Sequence, residues 1–251
     1  RMLMDMKSQV EAIRALCYSV AEALDLANGH PDEAIREQSR GYLDLVTPIA
    51  KAWSTDQGFE IASIGIQVHG GMGYIEETGA AQYLRDARIT MIYEGTNGIQ
   101  ALDLIRRKLP REIAATENLF EEMQETLRHL TKHSDPSLIA TGQQFGPAIA
   151  ALKKATEWMR GTISTDLETA ASGATQYCRM FGFIMGGWLL AKSALQATAA
   201  TADEQIPSGM SATKNQIARF FAEQHLGPAA ALLGPITNAG SSVMTFQEEN
   251  F

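Results

Sequence analysis

The stretch Asp86–Gln100, "DARITMIYEGTNGIQ", sets one carboxylate, Glu94, between an apolar strip and the start of a helix. Two chemistries fit that placement. An acid beside a helix N-terminus is favoured by the helix dipole whatever else it does. A carboxylate desolvated among bulky neighbours such as Ile92 and Tyr93 would instead have its pKa raised toward the range of a general base. Gly95 leaves room for a substrate to press against the backbone. Thr96 suits the N-cap of the next helix, whose free N–H groups offer a positive end to a phosphate or an oxyanion. By residue type alone, capping acid and base both remain open.

A second candidate is the glycine loop inside "QVHGGMGY", Gln67–Tyr74. No strand pattern precedes it, so the dinucleotide-binding fingerprint is not met. It reads either as a helix C-cap with a turn, or as a place where glycines Gly70 and Gly71 let backbone N–H groups approach a phosphate or a ring. His69 beside it has no nearby acid or cysteine partner in sequence, which fits capping. The other histidines are scattered and show no metal-ligand spacing. Cys17 and Cys178, both within helical apolar patterns, read as buried thiols rather than a disulfide or zinc site. A reducing, cytoplasmic setting is the default.

The elements that must position these groups read as helix almost throughout. Met6, Val10, Ile13, Cys17, Val20 and Leu24 recur at three- and four-residue steps as one apolar face of a first helix. That helix starts without a cap or a signal sequence, which suggests a chain cut from something longer. "NGHPDE" closes it; a further stretch is restarted at Thr47-Pro48 and runs to His69. "HGGMGYIEETG", with four glycines in eleven residues, reads as loop. A short helix over about 80–87 leads to the Glu94 motif, and Thr96 opens a helix to about Lys108. Pro110 marks a break, so a boundary is placed at 112. Beyond it Leu119, Met123, Leu127 and Leu130 line one helix face. Two long helices are predicted over about 143–162 and 166–200, the second rich in Ala and Gly for close helix contacts. A loop at 201–209 and one more helix with a Gly-Pro-broken turn complete the chain. The fold class is all-α, in two helical domains, 1–112 and 113–251.

The three motifs "QVHGGMGY", "RDARI" and "IYEGT", in this order over Gln67–Gln100, resemble the C-terminal helical domain of FAD-dependent acyl-CoA dehydrogenases. The resemblance spans residues 1 to about 110, with the first bundle helix missing. The remainder is similar to the extra C-terminal helical domain of the branch that includes methylthiopropionyl-CoA dehydrogenases, whose members carry a run much like "YEGTNGIQALDL". It implies that Glu94 is the base taking the acyl α-proton while the β-hydrogen leaves as hydride to FAD. It implies that Gln67, Gly70 and Gly71 touch the FAD of a neighbouring subunit, and that Thr96, Asn97 and Gly98 line the subunit's own. Gly98 is a departure, because many members have Gln or Glu there. Tyr93, Gly95 and Arg106 fall on the acyl-CoA side, Arg106 also fitting a solvated helix position. Arg85, Asp86 and Arg88 read as a structural ion-pair group. The family further implies electron-transfer flavoprotein or a similar acceptor, and a homodimer or homotetramer. The family's β-rich flavin-binding part has no counterpart in this sequence, so the fragment alone should not hold FAD. The alternative is a helical oligomerisation module, motivated by the Ala/Gly-rich stretch Ala170–Ala200. The net charge of −8 leaves no basic surplus for nucleic acid or anionic membrane, and no apolar run spans a bilayer.

Overall fold

The computed structural model describes residues 1–202 and 207–250, and among these there are helices and turns but no strand. In chain order the helices are α1 (Met2–Gly29), α2 (Glu33–His69), the single turn α3 (Gly71–Tyr74), α4 (Ala80–Ile89), α5 (Asn97–Asp103), α6 (Leu109–Arg111) and α7 (Ile113–Lys132). They continue as α8 (Pro136–Ile163), α9 (Leu167–Ala202), α10 (Ser208–Phe221), α11 (Gly227–Ala231) and α12 (Leu233–Val243). A π-helical turn, Leu104–Lys108, joins α5 to α6, and another, Ala222–Leu226, joins α10 to α11. The all-α reading is met.

Local chemistry accounts for the starts. The Asp32 carboxylate caps α2 by accepting from Ala34 N at 2.9 Å, and Asp135 caps α8 by accepting from Ser137 N at 2.7 Å with Pro136 in the first turn. Helix α8 therefore begins seven residues before the predicted start near 143, because Gly142 resembles a breaker that the buried stripe Leu138, Thr141 and Phe145 overrides. In the same way Pro48 does not restart a helix. Helix α2 runs through it, with Thr47 Oγ1 donating to Leu43 O at 2.6 Å and Leu45, Val46, Ile49 and Trp53 fully buried around it. Nor does Gly-Pro at 227–228 break the last segment, which continues from the π turn into α11. The glycine stretch 69–79 forms two short helical turns, α3 and the 3-10 turn Glu76–Thr78, rather than open loop. Of the predicted loop at 201–209, residues 203–206 lie outside those described.

Helix α9 is the axis. It packs on α1, α2, α5, α7, α8, α10 and α12, and one continuous core runs from Leu16 and Trp53 through Leu104 to Tyr177, Phe181, Trp188 and Phe221. Contact is close because a Cβ on Gly182 would overlap the Trp53 side chain, and one on Gly187 would come within 2.8 Å of Leu226. The Ala/Gly-rich stretch is thus spent inside the chain, which removes the reason for assigning it to subunit contacts. Helix α1 also turns differently from the prediction. It buries Ala12, Leu16, Ala23 and Ala27, whose small side chains let α2 and α9 approach, while Val10, Cys17 and Leu24 are exposed. Cys17 is therefore an exposed thiol, and only Cys178 is buried.

Candidate active site

Residues Thr90–Thr96 link α4 to α5 across one face of α2. Glu94 has φ +52°, the one described non-glycine residue in the left-handed region, and Gly95 follows at φ +87°. That conformation costs a non-glycine residue about 1–2 kcal/mol, so something outside the turn must hold it. Two clamps from α2 do. The Lys51 ammonium donates to Glu94 O at 2.6 Å. Three residues on, the Asn97 carboxamide Nδ2 donates to Asp56 Oδ1 at 2.6 Å, Thr55 Oγ1 at 2.9 Å and Ala52 O at 3.0 Å, two hydrogens shared among three acceptors. Burial pushes the Asp56 carboxyl up from its ordinary range, while the Asn97 hydrogen bond and the charges of Arg179 and Arg88 pull it back. Arg179 lies on α9, so the long central helix reaches the base of this site.

Thr96 caps α5 as predicted, its Oγ1 accepting from Ile99 N at 3.3 Å. Gly95 is favoured by its φ, and a Cβ there would also press within 3.1 Å of the movable end of Gln100, at Nε2. Gly98 is exposed, and a Cβ there would meet Thr96 Oγ1 only at ordinary contact distance, 3.8 Å. Asn97 N donates to Met91 O, closing the loop on itself, whereas Glu94 N makes no backbone hydrogen bond among the described residues. The side chain of Glu94 is exposed, with Tyr93 49% and Ile92 45% exposed beside it. The apolar enclosure expected around the carboxylate is therefore not made by the described residues, among which none forms a second layer over this loop on the outer face of α2. Asn97 also differs from expectation in its use: its carboxamide is committed to α2, leaving little of it to reach a cofactor. No sequence pattern marked Lys51, Thr55 or Asp56, which sit 41 to 43 residues away on a helix whose apolar stripe drew the reading elsewhere.

The glycine loop stands apart from this site. From Lys51 to His69 helix α2 rises about 27 Å, so Gln67, Gly70 and Gly71 lie at the far end of the helix that clamps Glu94. All three are exposed, and Gly70 (φ +62°) and Gly71 have no atom within 4 Å of where a side chain would begin. Gly73 instead packs on the end of α2, where a Cβ would run into Ile66 O. His69 Nδ1 lies 2.8 Å from Gly65 O, a capping contact. Arg106 is exposed on the Leu104–Lys108 turn. The expected Arg85–Asp86–Arg88 ion-pair group does not form. Arg85 pairs with Glu76 at 3.5 Å, Asp86 accepts from Gln82, and Arg88 lies over the Phe59 ring at 5.9 Å. Asp86 stands one and two positions from Arg85 and Arg88 on α4, spacings at which side chains do not face each other.

A helical bundle with a carboxylate loop clamped to its long second helix, and an exposed glycine turn at that helix's end, defines the class. Residues 1–109 match the family model of the acyl-CoA dehydrogenase C-terminal domain, and residues 119–247 match that described as acetyl-CoA dehydrogenase C-terminal like. The chain belongs to the acyl-CoA dehydrogenase family. It is 36% identical to a 3-methylmercaptopropionyl-CoA dehydrogenase of Ruegeria pomeroyi over 98% of this chain and 41% of that protein. It is 26% identical to the broad-specificity linear acyl-CoA dehydrogenase FadE5 of Mycobacterium tuberculosis over 100% of this chain and 42% of that protein. Among solved structures, Caenorhabditis elegans ACDH-11, crystallised with C11-CoA, shares the fold with a TM-score of 0.67 at 23% identity, covering 90% of this chain and 36% of that one. The chain thus spans about two fifths of the length of these relatives. Among the described residues no helix is long and apolar enough to cross a membrane.

Proposed function

We propose that this chain is the base-bearing C-terminal part of a flavoenzyme that α,β-dehydrogenates an acyl-CoA thioester. The observation that carries the reading is the backbone of Glu94: a carboxylate kept in a left-handed turn that glycine would adopt without cost, and clamped there from outside. In this role Glu94 takes the α-proton. FAD, when bound, supplies the two-electron acceptor for the β-hydrogen leaving as hydride. Glu94 N–H, free of backbone partners, is placed to donate to the thioester carbonyl, a contribution of about 3–4 kcal/mol for such a donor. Tyr93, Gly95 and Arg106 serve the acyl-CoA side. For the cofactor, Thr96 and Gly98 line one flavin through exposed backbone, with Asn97 holding that backbone rather than reaching out. Gln67, Gly70 and Gly71 approach a second flavin, and the helix rise of about 17–20 Å between the Asp56 anchor of Asn97 and the Gln67–His69 end of α2 supports assigning the two groups to different copies in a homodimer or homotetramer. The remainder of the full-length protein dries the carboxylate, which abstraction of so weak an acid requires. Electron-transfer flavoprotein or a similar acceptor reoxidises the enzyme in the cytoplasm. Residues 1–112 and 113–251 are taken as two units sharing the α9 core.

The likeness to a 3-methylmercaptopropionyl-CoA dehydrogenase makes that thioester the first substrate to try. The test is the full-length protein given methylthiopropionyl-CoA and straight-chain acyl-CoA thioesters without oxygen. Bleaching of a yellow flavin band by one of them supports the proposal; a flavin-free protein, or a flavin that no thioester reduces, contradicts it.

The alternative, a module for oligomerisation without its own base, draws on a different feature from the one the sequence offered. Met2, Leu3, Val10, Tyr18 and Leu24 leave a band of apolar side chains exposed along α1.

A further inference from the structure

Lys51 is, among the described residues, the lysine whose ammonium donates to a main-chain carbonyl. Among the described residues its ammonium meets no carboxylate within ion-pair distance, and instead donates at 2.6 Å to a main-chain carbonyl 43 residues away. That carbonyl is Glu94's own. Charge-assisted bonds of this length are roughly twice as strong as neutral ones, and this one lands on the residue whose backbone most needs holding.

Its helix is well placed to act as a fixed support. Trp53, two residues on, is fully buried against the glycines of α9, and Ala52 is buried beside it. Thr55 and Asp56, one turn further along α2, hold Asn97. The second half of the loop is therefore tied at two points, at 94 by Lys51 and at 97 by the next turn, to a helix that cannot shift without disturbing the core. A second tie at 97 alone would leave two rotatable residues between it and the carboxylate.

We propose that Lys51 is a positioning residue for the Glu94 base, fixing the left-handed turn through the Glu94 carbonyl so that the carboxylate and the adjacent N–H keep one relative orientation. The inference rests on the reading of Glu94 as base. Lys51 itself touches neither substrate nor reacting atoms, so its loss acts on the rate of proton abstraction and not on binding.

The experiment uses the full-length flavoprotein with the variants Lys51→Met, which keeps the stem and drops the donor, and Lys51→Arg, which restores a cationic donor. Lys51→Met is expected to lower kcat by roughly 10–100-fold, the scale of misplacing a catalytic group by about 1 Å. FAD content and KM stay within about twofold, and the isotope effect with α-deuterated acyl-CoA rises as abstraction becomes rate-limiting. Lys51→Arg recovers part of the rate. Wild-type turnover and isotope effect in Lys51→Met would overturn the proposal, as would loss of flavin together with rate. Lys51→Leu, which also lacks a donor, carries the same comparison where the methionine variant does not fold. Glu94→Gln, measured alongside, separates the two claims: a dead Glu94→Gln beside a normal Lys51→Met sinks only the role of Lys51, and an active Glu94→Gln sinks the base.

Discussion

Replacing Asn97 by alanine removes the hub that joins α5 to α2. The carboxamide gives one charge-assisted hydrogen bond to Asp56 at 2.6 Å and shares its second hydrogen between Thr55 Oγ1 and Ala52 O. Bonds of these two kinds are worth about 1.5–3 and 0.5–1.5 kcal/mol. Asp56 is half-buried, so water replaces part of the loss, and the expected destabilisation is about 2–3 kcal/mol near neutral pH. The pH dependence is specific. Burial already raises the Asp56 pKa in the folded state, and the Asn97 bond is what favours its charged form. The alanine variant therefore suffers most where Asp56 is ionised, and the loss shrinks as the pH falls and the carboxyl takes a proton. Asn97→Asp exaggerates this, setting two carboxylates together at neutral pH and relieving them in acid. Guanidinium unfolding followed by circular dichroism at pH 7.5 and 4.5 measures all three proteins. An Asn97→Ala variant within about 0.5 kcal/mol of the parent at both pH values, the scale of an ordinary surface substitution, would refute the assignment of the carboxamide to α2.

Three other outcomes follow from particular groups. Glu94→Gly relieves the left-handed strain of about 1–2 kcal/mol but adds about 0.5–1 kcal/mol of backbone entropy loss. Its unfolding midpoint should therefore equal or exceed that of the parent while turnover disappears; a clear destabilisation would mean Glu94 is not strained. His225, half-buried between Phe183 and Phe221, has its pKa pushed below the ordinary 6.5 chiefly by burial, against the pull of Asp5 at 2.8 Å. The folded state then binds this proton less readily than the unfolded chain, so stability is lost as pH falls through about 6.5. His225→Gln should flatten the fall in melting temperature between pH 7.5 and 5.5, and an unchanged slope would argue against it. Burial pushes the Cys178 thiol up to about 12. Iodoacetamide at pH 8 should label exposed Cys17 in the native protein and reach Cys178 only after unfolding, as read by peptide mass mapping.

Helix content and the Glu94 loop were legible in the sequence because both rest on local signals: periodicity, caps, and an acid followed by Gly-Thr. What escaped notice depends on packing at a distance. Thr47-Pro48 looks like a helix restart, yet buried side chains on either side carry α2 straight through it. The stripe Val10–Cys17–Leu24 satisfies helical spacing, but which face of α1 is buried is set by how close α2 and α9 can come, and alanines win that contest. Lys51 carries no mark at all. It follows an alanine in an apolar stretch, and only the fold brings it to a carbonyl 43 residues on. Asn97 stands next to the motif, and its inward turn toward Asp56 is likewise set by the fold.

The central claim is that the Glu94 carboxylate removes the proton beside a thioester. The most direct measurement incubates the full-length flavoprotein in D2O with an acyl-CoA analogue that cannot be oxidised at its β-position, and follows deuterium uptake at the α-carbon by NMR. The parent enzyme should exchange that hydrogen, and Glu94→Gln, with flavin still bound, should not. Exchange at the parent rate in Glu94→Gln would contradict the account.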